Sequence, residues 1–97
     1  MKLRVTRRAF ADREQIRNYL AKESSQAART VTSRLDEAID RLARQPHLGT
    51  QTDVDDVSVI FVGRYPYKIF YRVHLDTVQI LHIRHTARVP TDLENMP

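Results

Sequence analysis

The chain has 97 residues, enough for one domain with a single thin core. Its apolar fraction of 41% and charged fraction of 29% are ordinary for a globular domain and exclude a disordered chain. Sixteen Lys and Arg against twelve Asp and Glu give a formal charge of +4, which fits nucleic acid, an acidic protein or both as a partner, and equally a basic surface that is simply solvated.

Several classes of site and location are excluded by simple absences in the sequence. There is no cysteine, which rules out disulfides, thiolate metal sites and thiol chemistry. No stretch resembles a signal peptide or approaches the roughly 18–20 apolar residues of a spanning helix, so we expect a cytoplasmic protein without a membrane segment. No metal-ligand spacing and no Gly-rich phosphate loop occurs, and we predict neither metal nor cofactor.

The first half of the chain predicts a short strand followed by two helices. Residues 2–6 alternate enough for a strand, and Thr6 can cap the helix that follows. Asp12 and Arg13 interrupt the apolar stripe of this helix, which makes it weakly amphipathic.

The second helix is predicted by a long apolar stripe. Ser24 or Ser25 can cap its start, and Pro46 prevents its continuation. The residues of the stripe are Ala28, Val31, Leu35, Ala38, Ile39 and Leu42. Two helices joined by so short a turn predict an antiparallel hairpin.

The second half predicts an antiparallel sheet. Residues 57–62 form a nearly continuous apolar run, typical of a strand buried on both faces. From Tyr65 the pattern alternates with a period of two, and Asp76-Thr77 can form a tight turn before a returning strand at 78–85. The predicted fold class is therefore α+β.

In this fold an N-terminal strand precedes an antiparallel helical hairpin, which packs on one face of a small antiparallel β-sheet. We expect one domain over residues 1–97, with 91–97 as a frayed tail.

Cationic side chains and an imidazole are expected near one end of the predicted strand pair. A turn at Asp76-Thr77 places Lys68 opposite His85, with Arg72 on the face of Lys68. Arg88 follows three residues after His85. Two further arginines lie nearby in the sequence, Arg64 and Arg84.

This cluster has two interpretations. A histidine with neighbouring cations can cleave a phosphodiester, the imidazole acting as general acid or base while the cations stabilise the developing charge. Alternatively, His82 and His85 are hydrogen-bonded edge residues, the arginines keep the chain soluble, and the residues alone favour this second interpretation. Likewise, the tyrosines at 65, 67 and 71 could stack on bases, but such a stripe is more typical of a buried strand face.

Two segments of the second half, GRYPYKIFYRV at 63–73 and VQILHIRHTARVP at 78–90, resemble the ParE/RelE toxin superfamily. The resemblance extends over nearly the whole chain, from Leu3 to Pro90, and is closer to the ParE side, the plasmid stabilisation proteins. In the first half it rests on Ala9, Asp12, Ile16, Tyr19, Ala28, Leu35, Ile39, Leu42, Pro46 and Gly49.

The resemblance implies the toxin of a type II toxin–antitoxin pair, which arrests growth until a cognate antitoxin neutralises it in a hetero-oligomer. ParE-like members poison DNA gyrase, whereas RelE-like members cleave messenger RNA on the ribosome without a metal. A third possibility is a detoxified module that only binds its antitoxin. We favour a ParE-like binding toxin, because residues 57–62 carry no base and Ser58 stands where the family commonly has arginine.

The resemblance also implies roles for particular residues. Lys68 falls about where RelE-like nucleases place a basic catalytic residue, and His85 falls near their C-terminal His or Tyr. Together with Arg88, these are the catalytic candidates if the chain is a ribonuclease. The candidates for contact with a target or partner are Arg64, Arg72 and Arg84. The antitoxin is expected to cover the groove between helices and sheet.

Overall fold

The computed structural model describes residues 1–86. Arg88 and the predicted tail at 91–97 therefore lie outside the described residues. In chain order, the elements are β1 (Lys2–Val5), α1 (Arg7–Ala21), α2 (Ser25–Arg44), β2 (Thr50–Gln51), β3 (Ser58–Phe61), β4 (Tyr67–His74) and β5 (Thr77–His85).

The strands form one five-stranded sheet in the order β1-β5-β4-β3-β2. β1 runs parallel to β5, and all other neighbours are antiparallel, so the sheet is mixed. The helical hairpin packs on one face of the sheet. The predicted α+β fold is confirmed, while the two-residue β2 and the pairing of β1 with β5 add to the prediction.

Both helices begin where the sequence places a cap. The Thr6 hydroxyl accepts a hydrogen bond from the amide of Ala9, and the Ser24 hydroxyl accepts one from the amide of Ala27, so the caps are as predicted. α2 ends at Arg44, two residues before Pro46.

The main core lies between the hairpin and the sheet. The apolar stripe of α2 supplies Leu35, Ile39 and Leu42, which are buried against strand residues such as Ile69 and Ile80. Each such side chain contributes about 1.5–3 kcal/mol relative to exposure. The tyrosine stripe is buried in this core at positions 67 and 71, as its alternation favours.

A smaller apolar cluster lies on the opposite face of the sheet. It consists of Val57, Phe70 and Leu81, with Val54 packed beside them. The prediction that residues 57–62 are buried on both faces is wrong, since Phe61 is 65% exposed. The reason is that β2 covers only Ser58 and Val59 on the outer side of β3.

The turn between β4 and β5 lies at Leu75-Asp76, one residue earlier than predicted, because His74 pairs with Thr77. Leu75 adopts a left-handed conformation with φ of 54°. A bulge opposite Phe70 and Tyr71 then inserts one residue into β5. The earlier turn shifts the pairs next to it by two residues from the predicted register, and the bulge reduces this difference to one residue at Lys68.

Candidate cationic face and groove

The face of the sheet opposite the hairpin, here called the open face, collects basic side chains. Paired residues share a face and successive residues alternate, so the strand register shows which side chains lie on the open face. The basic residues on the open face are Lys2, Arg4, Lys68, Arg72, His74 and Arg84. The Lys68 ammonium lies 5.6 Å from the centre of the Phe70 ring, a cation–π distance. The arrangement presents positive charge around the small apolar cluster, a surface suited to an acidic partner.

Lys68 and His85 are not brought together. Lys68 pairs with Arg84, whereas His85 pairs with Tyr67 and contacts its ring edge-on at 5.4 Å between centroids. Tyr67 belongs to the core under the helices, so His85 lies on the helix side and Lys68 on the open face. The predicted pairing of Lys68 with His85 is wrong, because a register change of one residue moves a side chain to the other face.

The predicted arginines occupy different surroundings. Arg84 is buried next to Lys68, and Arg72 is partly buried opposite Gln79 on the same face. Arg64 is exposed in the turn between β3 and β4, where Gly63 supplies the positive φ. Of the three predicted arginines, Arg72 and Arg84 share the face of Lys68, while Arg64 borders a separate groove.

The favoured alternative, in which His82 is hydrogen-bonded, agrees with the structure, but the sequence did not identify its partner, Asp12 of α1. His82 is 6% exposed and stacks on Phe70 at 5.9 Å between ring centres. Its Nδ1 lies 2.6 Å from the Asp12 carboxylate, which also accepts a hydrogen bond from the amide of Ile83 at 3.0 Å. Since an ionised carboxylate can only accept, His82 donates from Nδ1.

The Asp12 contact has a structural cause. β1 ends at Val5, which pairs with Ile80, so β5 continues beyond its neighbour. Asp12 supplies the acceptor that a further strand residue would have supplied to Ile83. In the sequence, this contact was indicated by Asp12 itself, which interrupts the apolar stripe of α1.

Arg13, the second residue that interrupts the apolar stripe of α1, links α1 to α2. Its guanidinium donates to both carboxylate oxygens of Asp36, at 2.9 and 2.8 Å, and to Glu14 at 2.7 Å. The hydrogen bond with Asp36 is the main cause that raises the pKa of Arg13. A planar guanidinium with two parallel bonds fixes the helices relative to each other.

Tyr71 fastens the loop after α2 to the sheet. Its hydroxyl donates to the carbonyl of Pro46 and accepts from the amide of Gly49, both at 2.8 Å. Burial raises the pKa of Tyr71. A Cβ on Gly49 would overlap the tyrosine ring and hydroxyl, so the close approach requires glycine there.

This loop forms one wall of a groove between α2 and β3, here called the α2–β3 groove, of about 610 Å³. Apolar groups in it include Leu48 and Ile60, and the exposed Phe61 lies at its rim, on the open-face side of β3. Its basic members are Arg34, Arg41 and Arg64. Arg34 is held by Glu37 at 3.1 Å. The groove therefore combines apolar contact area with positive charge.

Residues 1–86 provide neither a candidate metal site nor a candidate membrane span. This part of the chain holds no group of three or more His, Asp and Glu residues that could bind a metal ion. None of the described helices is long and apolar enough to cross a membrane.

Sequence comparison finds a match to a known family over residues 3–90, described as the ParE toxin of the type II toxin–antitoxin system parDE. "Toxin RelE2" of Caulobacter vibrioides is 38% identical over 84 residues, covering 87% of this chain and 93% of the relative. "Putative toxin Y4kP" of Sinorhizobium fredii is 32% identical over 84 residues, covering 87% and 86% respectively.

Structural comparison agrees with the sequence. The chain matches a protein of the chromosomal ParDE toxin–antitoxin system from P. aeruginosa with a TM-score of 0.78 and 26% identity. The match covers 88% of this chain and 95% of the other. Fold and sequence therefore point to one family.

Proposed function

We propose that this chain, which belongs to the ParE toxin family of type II toxin–antitoxin systems, inhibits DNA gyrase by binding it. A cognate antitoxin neutralises it by binding in the α2–β3 groove. A gyrase target implies that it acts in the cytoplasm. The observation that carries this proposal is the separation of Lys68 from His85 on opposite faces of the sheet.

A ribonuclease needs a proton donor or acceptor within hydrogen-bond reach of the scissile phosphodiester and next to the cations that hold it. His85 lies on the other side of the sheet from Lys68. His82 shares the face of Lys68, but it is 6% exposed and its Nδ1 is engaged by Asp12. The geometry thus supports a surface that binds rather than one that transfers protons.

The alternative, a RelE-like ribonuclease, is favoured by one observation. Lys68 is partly exposed on the open face, where its cation could stabilise a pentavalent phosphate, whereas its cross-strand neighbour Arg84 is buried. The name of the relative from Caulobacter vibrioides also points toward RelE. In this case Lys68 would carry the chemistry, with His85 and Arg88 as the remaining candidates.

The two targets are separated by which synthesis stops first in cells. The chain would be induced without antitoxin while thymidine and methionine incorporation are followed in parallel. A gyrase inhibitor is expected to stop thymidine incorporation before methionine incorporation falls. Methionine incorporation falling first, with cut messenger RNA, would favour the ribonuclease instead, and normal growth with folded protein would favour a detoxified module.

The antitoxin is expected to enter the α2–β3 groove because apolar and positive groups are combined there. An amphipathic acidic segment can bury its apolar side chains on Leu48 and Ile60 while its carboxylates approach Arg41 and Arg64. Leu48 is 49% exposed, so its apolar surface is available to such a segment.

Leu48→Asp tests this docking site. Loss of a central apolar contact, with a negative charge in its place, costs about 2 kcal/mol or more, so antitoxin affinity should fall about thirtyfold or more. Leu75→Asp is the matched control, because Leu75 is 84% exposed at the β4–β5 turn, away from the groove. Titration calorimetry with the antitoxin encoded beside the toxin measures both. Equal affinities for the two variants would rule out the groove.

A further inference from the structure

Among the described strands, one aromatic side chain is largely exposed to solvent. Phe61, at the end of β3, is 65% exposed, whereas Tyr67, Phe70 and Tyr71 of β4 are buried. Phe61 pairs with Lys68, so its ring lies on the open face, at the rim of the α2–β3 groove. An exposed apolar residue by itself needs no explanation, so the surroundings of Phe61 decide what it can bind.

Positive charge flanks Phe61 on two sides. Lys68 lies directly opposite on β4, and the exposed Arg64 follows three residues later in the turn between β3 and β4. Within residues 1–86, neither cation forms an ion pair. The Lys68 ammonium lies 5.6 Å from the centre of the buried Phe70 ring, which leaves Arg64 as the more exposed cation. Phe61, Arg64 and Lys68 are here called the β3–β4 corner.

The turn between β3 and β4 is held in place by backbone hydrogen bonds. The amide of Val62 donates to the carbonyl of Tyr67, and the amide of Tyr65 donates to the carbonyl of Val62, both at 3.0 Å. The amide of Thr86 donates to the carbonyl of Pro66 at 2.8 Å and ties the turn to the end of β5. Because a backbone fixed in this way loses little conformational entropy on binding, contacts made at the corner contribute more fully to affinity.

An exposed aromatic ring beside an exposed arginine is the composition that protein interfaces favour. Aromatic residues and Arg are enriched at the centres of such interfaces and contribute most of their binding energy. Among the described large apolar side chains, Leu75 is more exposed, at 84%, but it lacks this setting, because the adjacent Asp76 is paired with Lys2. The β3–β4 corner therefore fits a protein surface that offers an apolar pocket with carboxylates at its border.

A nucleic acid is disfavoured as the occupant of this corner. The loop before β3 carries three exposed carboxylates, Asp53, Asp55 and Asp56, and packs through Val54 on the small apolar cluster of the open face. Residues 57–61 extend over about 13 Å, so these carboxylates are largely screened from the corner at physiological salt. A phosphate backbone that continued along β3 would be repelled by them, whereas a single carboxylate at the corner would meet only the cations.

A second copy of the chain is disfavoured as well. A two-fold symmetric contact through Phe61 would use the same surface on both copies. It would therefore bring Arg64 and Lys68 of one copy close to the same cations of the other. Like charges placed against each other oppose such an association.

We propose that Phe61 anchors the toxin to its protein target: the ring enters an apolar pocket of the target, and Arg64 pairs with a carboxylate at the border of that pocket. Lys68 adds only to the surrounding positive charge. The inference rests on the proposed inhibition of gyrase and names the toxin surface that binds it. Because Phe61 and Arg64 also border the α2–β3 groove, an antitoxin in the groove would block the corner.

Biolayer interferometry on immobilised purified gyrase, with the full toxin chain in solution, tests the anchor. Phe61→Ala should lower the affinity for gyrase about thirtyfold or more, and Arg64→Glu about tenfold. Leu75→Ala is the matched control and should change the affinity less than twofold, to about the precision of the assay. All three positions are exposed, so the circular dichroism spectrum and the urea midpoint should be retained.

The antitoxin separates the two surfaces of the toxin. Phe61→Ala should keep its affinity for the antitoxin within about threefold, since the ring lies at the rim of the groove. Leu48→Asp should show the opposite pattern, with antitoxin binding weakened and gyrase binding kept. Unsubstituted toxin that is saturated with antitoxin should not bind gyrase. Parallel losses of gyrase and antitoxin binding in both variants would contradict two distinct surfaces.

The outcomes distinguish this inference from the proposed function. If Phe61→Ala binds gyrase as tightly as Leu75→Ala does, the anchor is wrong, while binding by the unsubstituted toxin leaves the proposed function standing. If the unsubstituted toxin does not bind gyrase, both are wrong. Binding of the toxin to DNA alone that Phe61→Ala abolishes would identify a nucleic-acid surface and overturn the inference. Self-association that the same variant abolishes would also overturn it.

Discussion

The helix side and the open face of the sheet are formed by the same strands but have different surroundings. On the helix side, Ile69, Tyr71 and Ile80 are almost completely buried under the hairpin. On the open face, basic residues surround a cluster built on Phe70 and Leu81. Alternation along one strand thus supplies both a core and a charged surface, so adjacent residues such as Lys68 and Ile69 should respond very differently to substitution.

The largest expected effect separates the two faces directly. Ile69→Ala removes a fully buried side chain and should lower the free energy of unfolding by about 2–5 kcal/mol. Lys68→Ala, one residue earlier and on the open face, should change it by no more than about 0.5 kcal/mol. Urea unfolding followed by circular dichroism measures both. Similar losses for the two variants would refute the division between faces.

A smaller loss of the free energy of unfolding is expected from a substitution at Asp12, where α1 contacts the edge of β5. Asp12→Ala leaves the amide of Ile83 and the Nδ1 of His82 without their acceptor, at a cost of about 2–4 kcal/mol. Asp40→Ala is the control, since Asp40 is exposed on α2. The comparison uses the same unfolding assay. An Asp12 variant as stable as the control would mean that the contact contributes nothing.

The pH dependence of Tyr71 tests the helix side. Because burial raises its pKa, the unfolded chain loses this proton first, near about pH 10. The stabilising contribution is therefore complete below that pH and is lost as the pH rises through the higher pKa of the folded state. Tyr71→Phe should lower stability by about 1–2 kcal/mol at neutral pH and reduce this alkaline loss.

Tyr19→Phe is the matched control for Tyr71, because Tyr19 is 68% exposed on α1. Thermal melts between neutral and alkaline pH compare both variants with the unsubstituted chain. A Tyr71 variant with the same alkaline loss as the unsubstituted chain would show that another group is responsible.

The smallest expected effect concerns toxicity. If the chain acts by binding gyrase, the Lys68→Ala/His85→Ala double variant should arrest growth to within about threefold of the unsubstituted toxin. In an enzyme, removing the catalytic acid–base groups would instead lower the reaction rate by about 10²–10⁴-fold. Colony counts after induction without antitoxin measure it. Complete loss of toxicity in a folded double variant would support the ribonuclease alternative.

The sequence predicted α2 accurately because several local signals agree there. The Ser24 cap, the continuous apolar stripe and Pro46 each specify the same helix. The α+β arrangement followed from this helix and from the alternation of β4. These features depend on neighbouring residues, which a single sequence contains.

The pairing of β4 with β5 depended on features that the sequence does not mark. A turn centred on Leu75, with a positive φ at a bulky residue, has no turn signature, and the bulge opposite Phe70 reverses only half of the register shift that this turn produces. The predicted pairing of Lys68 with His85 is therefore wrong, although each of the two residues lies on its predicted strand. The contact of Asp12 with His82 joins residues 70 apart and had only an interrupted stripe to suggest it.

Supercoiling of relaxed plasmid by purified gyrase, with the isolated toxin titrated in, tests the central claim most directly. Binding to gyrase predicts inhibition with trapped cleavage complexes on the gel, and the same inhibition by the Lys68→Ala/His85→Ala double variant. No inhibition by folded toxin that still arrests growth would contradict the account.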